Sequence, residues 1–195
     1  EGLAYRLVPI KSTNKGIFTG RIDADILYDN VMNKFVWGNI TSPDVYIDDY
    51  NEREIRIIQA RYIFARLAQQ LTKEGKKDSA IAVIDRLIEI FPNERIPFAY
   101  DSFPAAEQYY AAGAMEKGDN MVRTMAQNSF DNIEYYLSTP FFGSVKNDLN
   151  REISNLRNLT IITRNYKQND LSKELDQKLQ AFIAKMKAKS EEVRN

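Results

Sequence analysis

Apolar residues recur every three or four positions along most of the chain, which is the spacing of a helix with one buried face. Stripes of this kind predict helices over about 24–35, 52–74, 78–91 and 115–138, followed by a pair of helices in the last third. The 115–138 stripe consists of Val122, Ala126, Phe130, Ile133 and Leu137. The pattern therefore predicts an all-α chain of about seven helices.

The N-terminal residues have a different pattern. Residues 3–10 are predicted to be extended, with Pro9 restricting the segment to an edge, and residues 17–19 could return as its hairpin partner. Asp23 then precedes the first apolar stripe, where its side chain can cap the helix. We expect a short extended segment before the helices begin.

Small residues within 61–94 stand at the spacing that two closely crossing helices require. When Arg61 is counted as position 1, small side chains fall at positions 8 and 20, a glycine at the turn and a proline at position 32: Ala68, Ala80, Gly75 and Pro92. Only a small side chain lets the helices approach at the first two positions, and the proline ends the second helix. This unit resembles a tetratricopeptide repeat.

A second, looser repeat follows. Ala106 matches position 8 and Gly113 the turn, and the turn glycines Gly75 and Gly113 lie 38 residues apart, against a standard period of about 34. Gly118 replaces the alanine at position 20, and no proline stands at position 32. The resemblance implies stacked antiparallel helical hairpins with a right-handed superhelical twist.

The sequence predicts a division into three parts. Residues 1–50 hold the extended segment, a short helix and an acidic connector, and residues 51–140 hold the tetratricopeptide-like repeats. Residues 141–195 form a C-terminal helical hairpin that we expect to pack on the array.

Composition excludes several kinds of chemistry. Lysine plus arginine and aspartate plus glutamate both number 27, so no excess of positive charge favours nucleic acid. Histidine and cysteine are absent, which removes zinc sites built on these residues, serine–histidine triads and thiol catalysis. No catalytic residue, metal ligand or cofactor is predicted, and we expect this fragment not to be an enzyme.

Two acidic groups have alternative interpretations. The first could bind calcium, but a solvated helix N-terminus explains it better because the glycine and spacing of a calcium loop are missing; its members are Asp44, Asp48, Asp49, Glu52 and Glu54. Asp23, Asp25 and Asp29 could supply paired carboxylates for acid–base chemistry. Helix capping and an ion pair with Arg21 or Lys34 is the simpler role.

The tetratricopeptide resemblance implies a ligand groove lined by the first helix of each repeat. Mapping its concave positions onto this chain gives a set of aromatic and polar side chains: Tyr62, Gln69, Thr72, Tyr100, Phe103, Glu107 and Tyr110. Aromatic rings beside hydrogen-bonding groups suit a peptide or a sugar. Alternatively, several of these residues pack against the N-terminal segment or against the proline linker, which comprises residues 92–103.

Short blocks in a fixed order resemble one family: Glu1–Pro9, Gly20–Asp23, Tyr28–Asn30, Phe35–Asn39, Asp44–Asp48, Gly75–Ala80 and Pro92–Arg95. The chain is similar to the C-terminal soluble region of a Bacteroidetes family of multi-spanning membrane proteins of unknown function. The membrane part of that family resembles protein O-mannosyltransferases. The abrupt start of the sequence is consistent with a piece of a longer protein.

The resemblance implies a domain on the periplasmic side of the inner membrane, at the soluble end of a membrane glycosyltransferase-like protein. There it would position a polypeptide, a glycan or a partner protein, and the transfer chemistry would belong to the membrane part. The alternative is a freestanding peptide-binding adaptor of the tetratricopeptide type, unrelated to glycosyl transfer.

Overall fold

The computed structural model describes residues 20–192 together with Ala4 and Pro9, and these residues contain α-helices but no strands. The all-α class is therefore confirmed for the described part of the chain. The predicted extended segment and its hairpin partner lie outside the described residues, apart from Ala4 and Pro9. The α-helices are α1 (Ala24–Asp29), α2 (Ile58–Lys73), α3 (Lys77–Ile90), α4 (Phe103–Ala112), α5 (Met115–Ser138), α6 (Lys146–Asn165) and α7 (Asn169–Glu192).

The first helix begins where the sequence predicts. The Asp23 carboxylate accepts a hydrogen bond from the backbone N–H of Ile26 at 3.1 Å, so the predicted cap is confirmed. The α-helical part of this element ends at Asp29, and a π-helical turn, Asn30–Lys34, completes the predicted length.

A second π-helical segment, Asp49–Ile57, leads directly into α2. The sequence predicts one α-helix from about Glu52. In the structure the element begins earlier, and its first part is π-helical rather than α-helical. Over nine residues the apolar stripe does not distinguish the two windings, because they differ mainly in their backbone hydrogen bonds, which span five residues in a π-helix and four in an α-helix.

The chain falls into two compact units. The first comprises the described residues through Pro97 together with Asp101–Gly118, and the second comprises Phe98–Tyr100 and the described residues from Asp119. The three-part division stays a prediction.

In the first unit, α2 and α3 form a tight hairpin. The chain turns at Gly75, whose φ of +78° favours glycine, and the N–H of Lys76 donates to the carbonyl of Leu71 at 2.9 Å. Ala68 and Ala80 are 0% and 1% exposed, so both predicted small positions are buried, one on each of two helices that pack together. Larger apolar side chains fill the surrounding core: Phe64, Leu67, Leu71, Val83, Ile84, Leu87 and Phe91.

Helix α4 packs against both members of this hairpin. Pro104 lies in its first turn, where the missing N–H has no consequence, and Gly113 ends it in the left-handed conformation. Ala106 is completely buried, as expected for the small position of the second repeat. The first unit is therefore a hairpin with a third helix packed on it.

The second unit contains most of α5 together with α6 and α7. Helices α6 and α7 pack as the predicted pair, and α7 also stacks Phe182 on Phe130 of α5 with ring centroids 5.4 Å apart. Leucines of both helices are buried in this unit: Leu149, Leu156, Leu159, Leu171, Leu175 and Leu179.

Candidate functional site

Three of the predicted groove residues lie along one side of α2, because Tyr62, Gln69 and Thr72 are seven and three positions apart. Gln69 is exposed, whereas Tyr62 and Thr72 are half-buried. The Thr72 hydroxyl donates to the carbonyl of Ala68 at 2.9 Å, so its proton is used within the helix. This side of α2 can offer an amide, a hydroxyl oxygen and the edge of an aromatic ring.

The remaining groove residues are placed less uniformly. On α4, Glu107 is exposed and Phe103 is half-buried, four positions apart on one side. Tyr100 is exposed in the 3-10 turn before α4, but it belongs to the second compact unit.

Tyr110 has a different environment from the one the repeat position predicts. Its side chain is 1% exposed, and its ring lies directly against the backbone of Gly118. A Cβ atom on residue 118 would come within 2.6 Å of Cε1 of this ring. The structure therefore places Tyr110 in the core, where a ligand cannot reach it, and glycine at position 118 makes room for it.

A buried ion pair that the sequence analysis missed fixes the segment between α3 and α4. Arg61 donates through Nη1 to Asp101 at 2.7 Å, and the two residues are 2% and 4% exposed. Its Nη2 donates to the carbonyl of Ile96 at 2.6 Å, and Nη1 also reaches the carbonyl of Pro97 at 3.3 Å. The only signal in the sequence is that Arg61 interrupts the apolar stripe of α2.

A polar cluster joins α3, α4 and the start of α5. The Tyr109 hydroxyl donates to Asp85 at 2.8 Å, and Nζ of Lys117 donates to both oxygens of the same carboxylate at 2.8 and 2.6 Å. Burial raises the pKa of the Tyr109 phenol, and its hydrogen bond to Asp85 raises it further. A neutral, buried phenol with its proton engaged suits a structural link between helices better than proton transfer to a substrate.

An aromatic cluster anchors the segment after the first π-helical turn. The ring of Trp37 lies 5.8 Å from Phe35, 5.6 Å from Phe64 and 5.5 Å from Phe91, measured between centroids. Edge-to-face contacts of this kind stabilise a core without requiring hydrogen bonds. The block Phe35–Asn39 therefore has a packing role on α2 and on the end of α3.

Two arginines border an open cleft that the sequence analysis also missed. The cleft has a volume of about 370 Å³, and its lining residues are Pro43, Asp44, Val45, Tyr46, Ile47, Arg53, Arg95, Ile96 and Pro97. Nε and Nη2 of Arg95 are shielded from solvent and have no hydrogen-bond partner among the described residues. Sequence spacing gives no signal for this site, because Arg53 and Arg95 are 42 positions apart.

The first acidic triplet has the roles that capping and ion pairing predict. Asp23 caps α1, and Asp29 forms an ion pair with Lys34, as expected. Hydrogen bonds from Lys34 and Asn33 lower the pKa of Asp29. Asp25 pairs instead with Lys76 at 2.8 Å, and this contact raises the pKa of the Lys76 ammonium group.

For the second acidic group, the side chains of Asp49, Glu52 and Glu54 lie outside the described part of the structure, so both of its interpretations stay predictions. Among the side chains that are described, no group of three or more carboxylates could hold a metal ion. Asp44 is exposed in the connector and borders the arginine cleft.

Comparison with known proteins yields no relative: no protein-family model, curated protein or solved structure matches this chain. Within residues 20–192, none of the helices combines the length and the apolar character needed to cross a bilayer.

Proposed function

We propose that this chain is a non-catalytic helical-repeat domain of the tetratricopeptide type, which binds a polypeptide, a glycan or a partner protein. The observation that carries the proposal is that α2 packs on α3 and that each of these helices carries a buried alanine at the predicted position, Ala68 and Ala80. Small residues at these two positions are what a repeat hairpin needs for close helix approach. Helix α4, which contacts both helices, serves as the first helix of the second repeat, and the right-handed superhelical twist is part of the proposal.

The binding surface proposed for the first unit is the side of α2 and α4 that carries Tyr62, Gln69, Thr72, Phe103 and Glu107. Exposed Gln69 and Glu107 can form hydrogen bonds with backbone amides or sugar hydroxyls, and the half-buried rings supply contact area of low flexibility. Tyr110 is left out of this surface because it is buried. Tyr100 is left out because it belongs to the other compact unit.

The proposed context is the periplasmic side of the inner membrane, at the soluble end of a membrane protein that resembles glycosyltransferases. Its support is the ordered set of sequence blocks from Glu1–Pro9 to Pro92–Arg95. In this context the domain holds the acceptor polypeptide or glycan near a membrane-embedded catalytic part. Reading the gene upstream of Glu1 tests it, since ten or so apolar spans support this context and their absence favours the freestanding adaptor.

The binding proposal is tested with the purified chain on peptide and glycan arrays, followed by titration of the best ligand. We expect Tyr62→Ala to weaken that ligand at least about tenfold, as loss of an aromatic contact residue does. Tyr135→Ala is the matched control, because Tyr135 is a 69% exposed tyrosine on α5 in the second unit. Circular dichroism checks that both variants retain their helices.

Equal affinities for wild type and Tyr62→Ala would show that the surface is wrongly placed. Turnover of a glycosidic or peptide bond by the purified chain alone would contradict a non-catalytic role.

A further inference from the structure

The cleft beside the proline linker combines positive charge with apolar walls. Arg53 and Arg95 supply two cationic groups, and Asp44 is the one carboxylate among the residues that line it. The remaining lining side chains are apolar or aromatic: Pro43, Val45, Tyr46, Ile47, Ile96 and Pro97. Cationic groups outnumber carboxylates among the lining residues, which favours an anionic ligand.

Arg95 is the group that indicates an anion. Two of its three side-chain nitrogens are shielded from water and have no acceptor in the described part of the chain. These two nitrogens lose hydration without gaining hydrogen bonds, which is unfavourable unless another group compensates. Because the positive charge is delocalised over the whole group, an anion inside the cleft stabilises it whichever nitrogen it contacts.

The wall that carries Arg95 is held in place before any ligand arrives. The N–H groups of Arg95 and Ile96 both donate to the carbonyl of Pro92, at 3.1 and 2.9 Å. The next carbonyls, those of Ile96 and Pro97, accept hydrogen bonds from the buried guanidinium of Arg61. A fixed wall reduces the entropy lost when a ligand binds.

Residues 43–47 of the cleft lining provide a surface for an apolar or aromatic group of a ligand. Tyr46 is 84% exposed, so its ring can cover a ligand without first leaving a core. The cleft volume of about 370 Å³ is at the lower end of the range for small-molecule sites. A ligand of this size has room for one charged group and one small ring or short aliphatic chain.

We propose that this cleft binds a carboxylate carried on a small apolar or aromatic arm, such as the C-terminal residue or an acidic side chain of a peptide. A carboxylate matches the fork geometry of the Arg95 guanidinium, and it brings only one negative charge near Asp44. A phosphate monoester carries nearly two negative charges, and Asp44 would oppose the second one. The inference does not depend on the surface of α2 and α4, so its test and the Tyr62→Ala test can fail independently.

The experiment is an NMR titration of the ¹⁵N-labelled chain with phenylbutyrate, taken to about 20 mM because ligands of this size often bind in the millimolar range. Phenylbutyramide replaces the carboxylate with a neutral group, and phenyl phosphate replaces it with a more highly charged one. We expect saturable shifts of the Arg95 side chain and of the amides of residues 44–47 with phenylbutyrate. We expect no such shifts with the amide, and weaker binding of phenyl phosphate.

Variants identify the residue responsible. Arg95→Gln should weaken phenylbutyrate at least about tenfold, since it removes the charged partner. Arg157→Gln is the matched control, because it removes one positive charge from an exposed position on α6 in the second unit, and it should leave the affinity unchanged. Peptides ending in a free carboxylate or in an amide then separate a C-terminal ligand from an acidic side chain.

Equal binding of phenylbutyrate and phenylbutyramide would overturn the proposal, as would equal losses of affinity in the two arginine variants. Tighter binding of phenyl phosphate would overturn the choice of a carboxylate. If Arg95→Gln does not fold, the comparison of acid and amide on the wild-type chain still decides the outcome.

Discussion

Buried charge distinguishes the first compact unit from a purely apolar helical hairpin. Arg61 and Asp101 are almost completely shielded from water, and the guanidinium also binds two backbone carbonyls of the linker. Replacing such a pair with apolar residues can be harmless, but removing one partner leaves a buried charge without its counterion. The pair therefore fixes the position of the linker that carries Arg95.

Asp101→Asn should lower the free energy of unfolding by about 3 kcal/mol or more, because Arg61 then stays buried without a negative partner. Glu89→Gln is the control, since it removes an exposed ion pair with Arg86 and should cost less than about 1 kcal/mol. Urea unfolding of both variants measures the difference. Similar small losses would contradict the role assigned to the buried pair.

Single residues also mark the limit of sequence analysis. Ala68, Ala80 and the Asp23 cap are predicted because helix packing and capping follow short, local spacing rules. Tyr110 is assigned to a groove by its repeat position, but the space that receives its ring depends on Gly118 in the next helix. Arg53 and Arg95 come together only through the tertiary fold, so no local rule could have predicted their cleft.

Helices with regular stripes are predicted almost to the residue. The predicted range 115–138 coincides with α5, and 78–91 differs from α3 by one residue at each end. The elements before them are predicted less well, because the π-helical segments Asn30–Lys34 and Asp49–Ile57 keep roughly helical spacing while changing the backbone hydrogen bonds. The C-terminal pair is predicted correctly, as α6 and α7.

The contact between α5 and α7 includes an ion pair whose strength should depend on pH. Arg123 donates to Glu174 at 2.6 Å, and this hydrogen bond lowers the pKa of the Glu174 carboxyl. A carboxyl whose pKa is lower in the folded state stabilises the fold above its unfolded pKa. That contribution is lost as the pH falls through the folded pKa.

Arg123→Gln should therefore reduce the free energy of unfolding by about 0.3–1 kcal/mol at neutral pH, a small amount because both side chains are partly exposed. In acid, Glu174 is protonated and the ion pair is lost in the wild type too, so the difference in stability between variant and wild type should vanish. Thermal unfolding at a series of pH values from neutral to acid measures this difference, with Arg157→Gln as the charge-matched control. A difference that does not change with pH would contradict the assignment.

The molecule as a whole consists of two helical units, each with its own buried apolar side chains. The sequence predicts the all-α class and the hairpin order, because both follow from periodic patterns that extend over many residues. Binding by the α2–α4 surface and the periplasmic context are proposals that rest on the repeat geometry and the family resemblance. The binding proposal depends on the close approach of α2 and α3.

That close approach is tested most directly by the free energy of unfolding of Ala80→Leu, compared with Ala181→Leu. Ala80 is 1% exposed on α3, whereas Ala181 is exposed on α7, so the two variants add the same volume to a packed and to an open position. We predict that Ala80→Leu loses about 1–3 kcal/mol through overpacking, while Ala181→Leu changes stability by less than about 0.5 kcal/mol. If Ala80→Leu is as stable as wild type, the helices do not meet closely at this alanine, and the hairpin account is wrong.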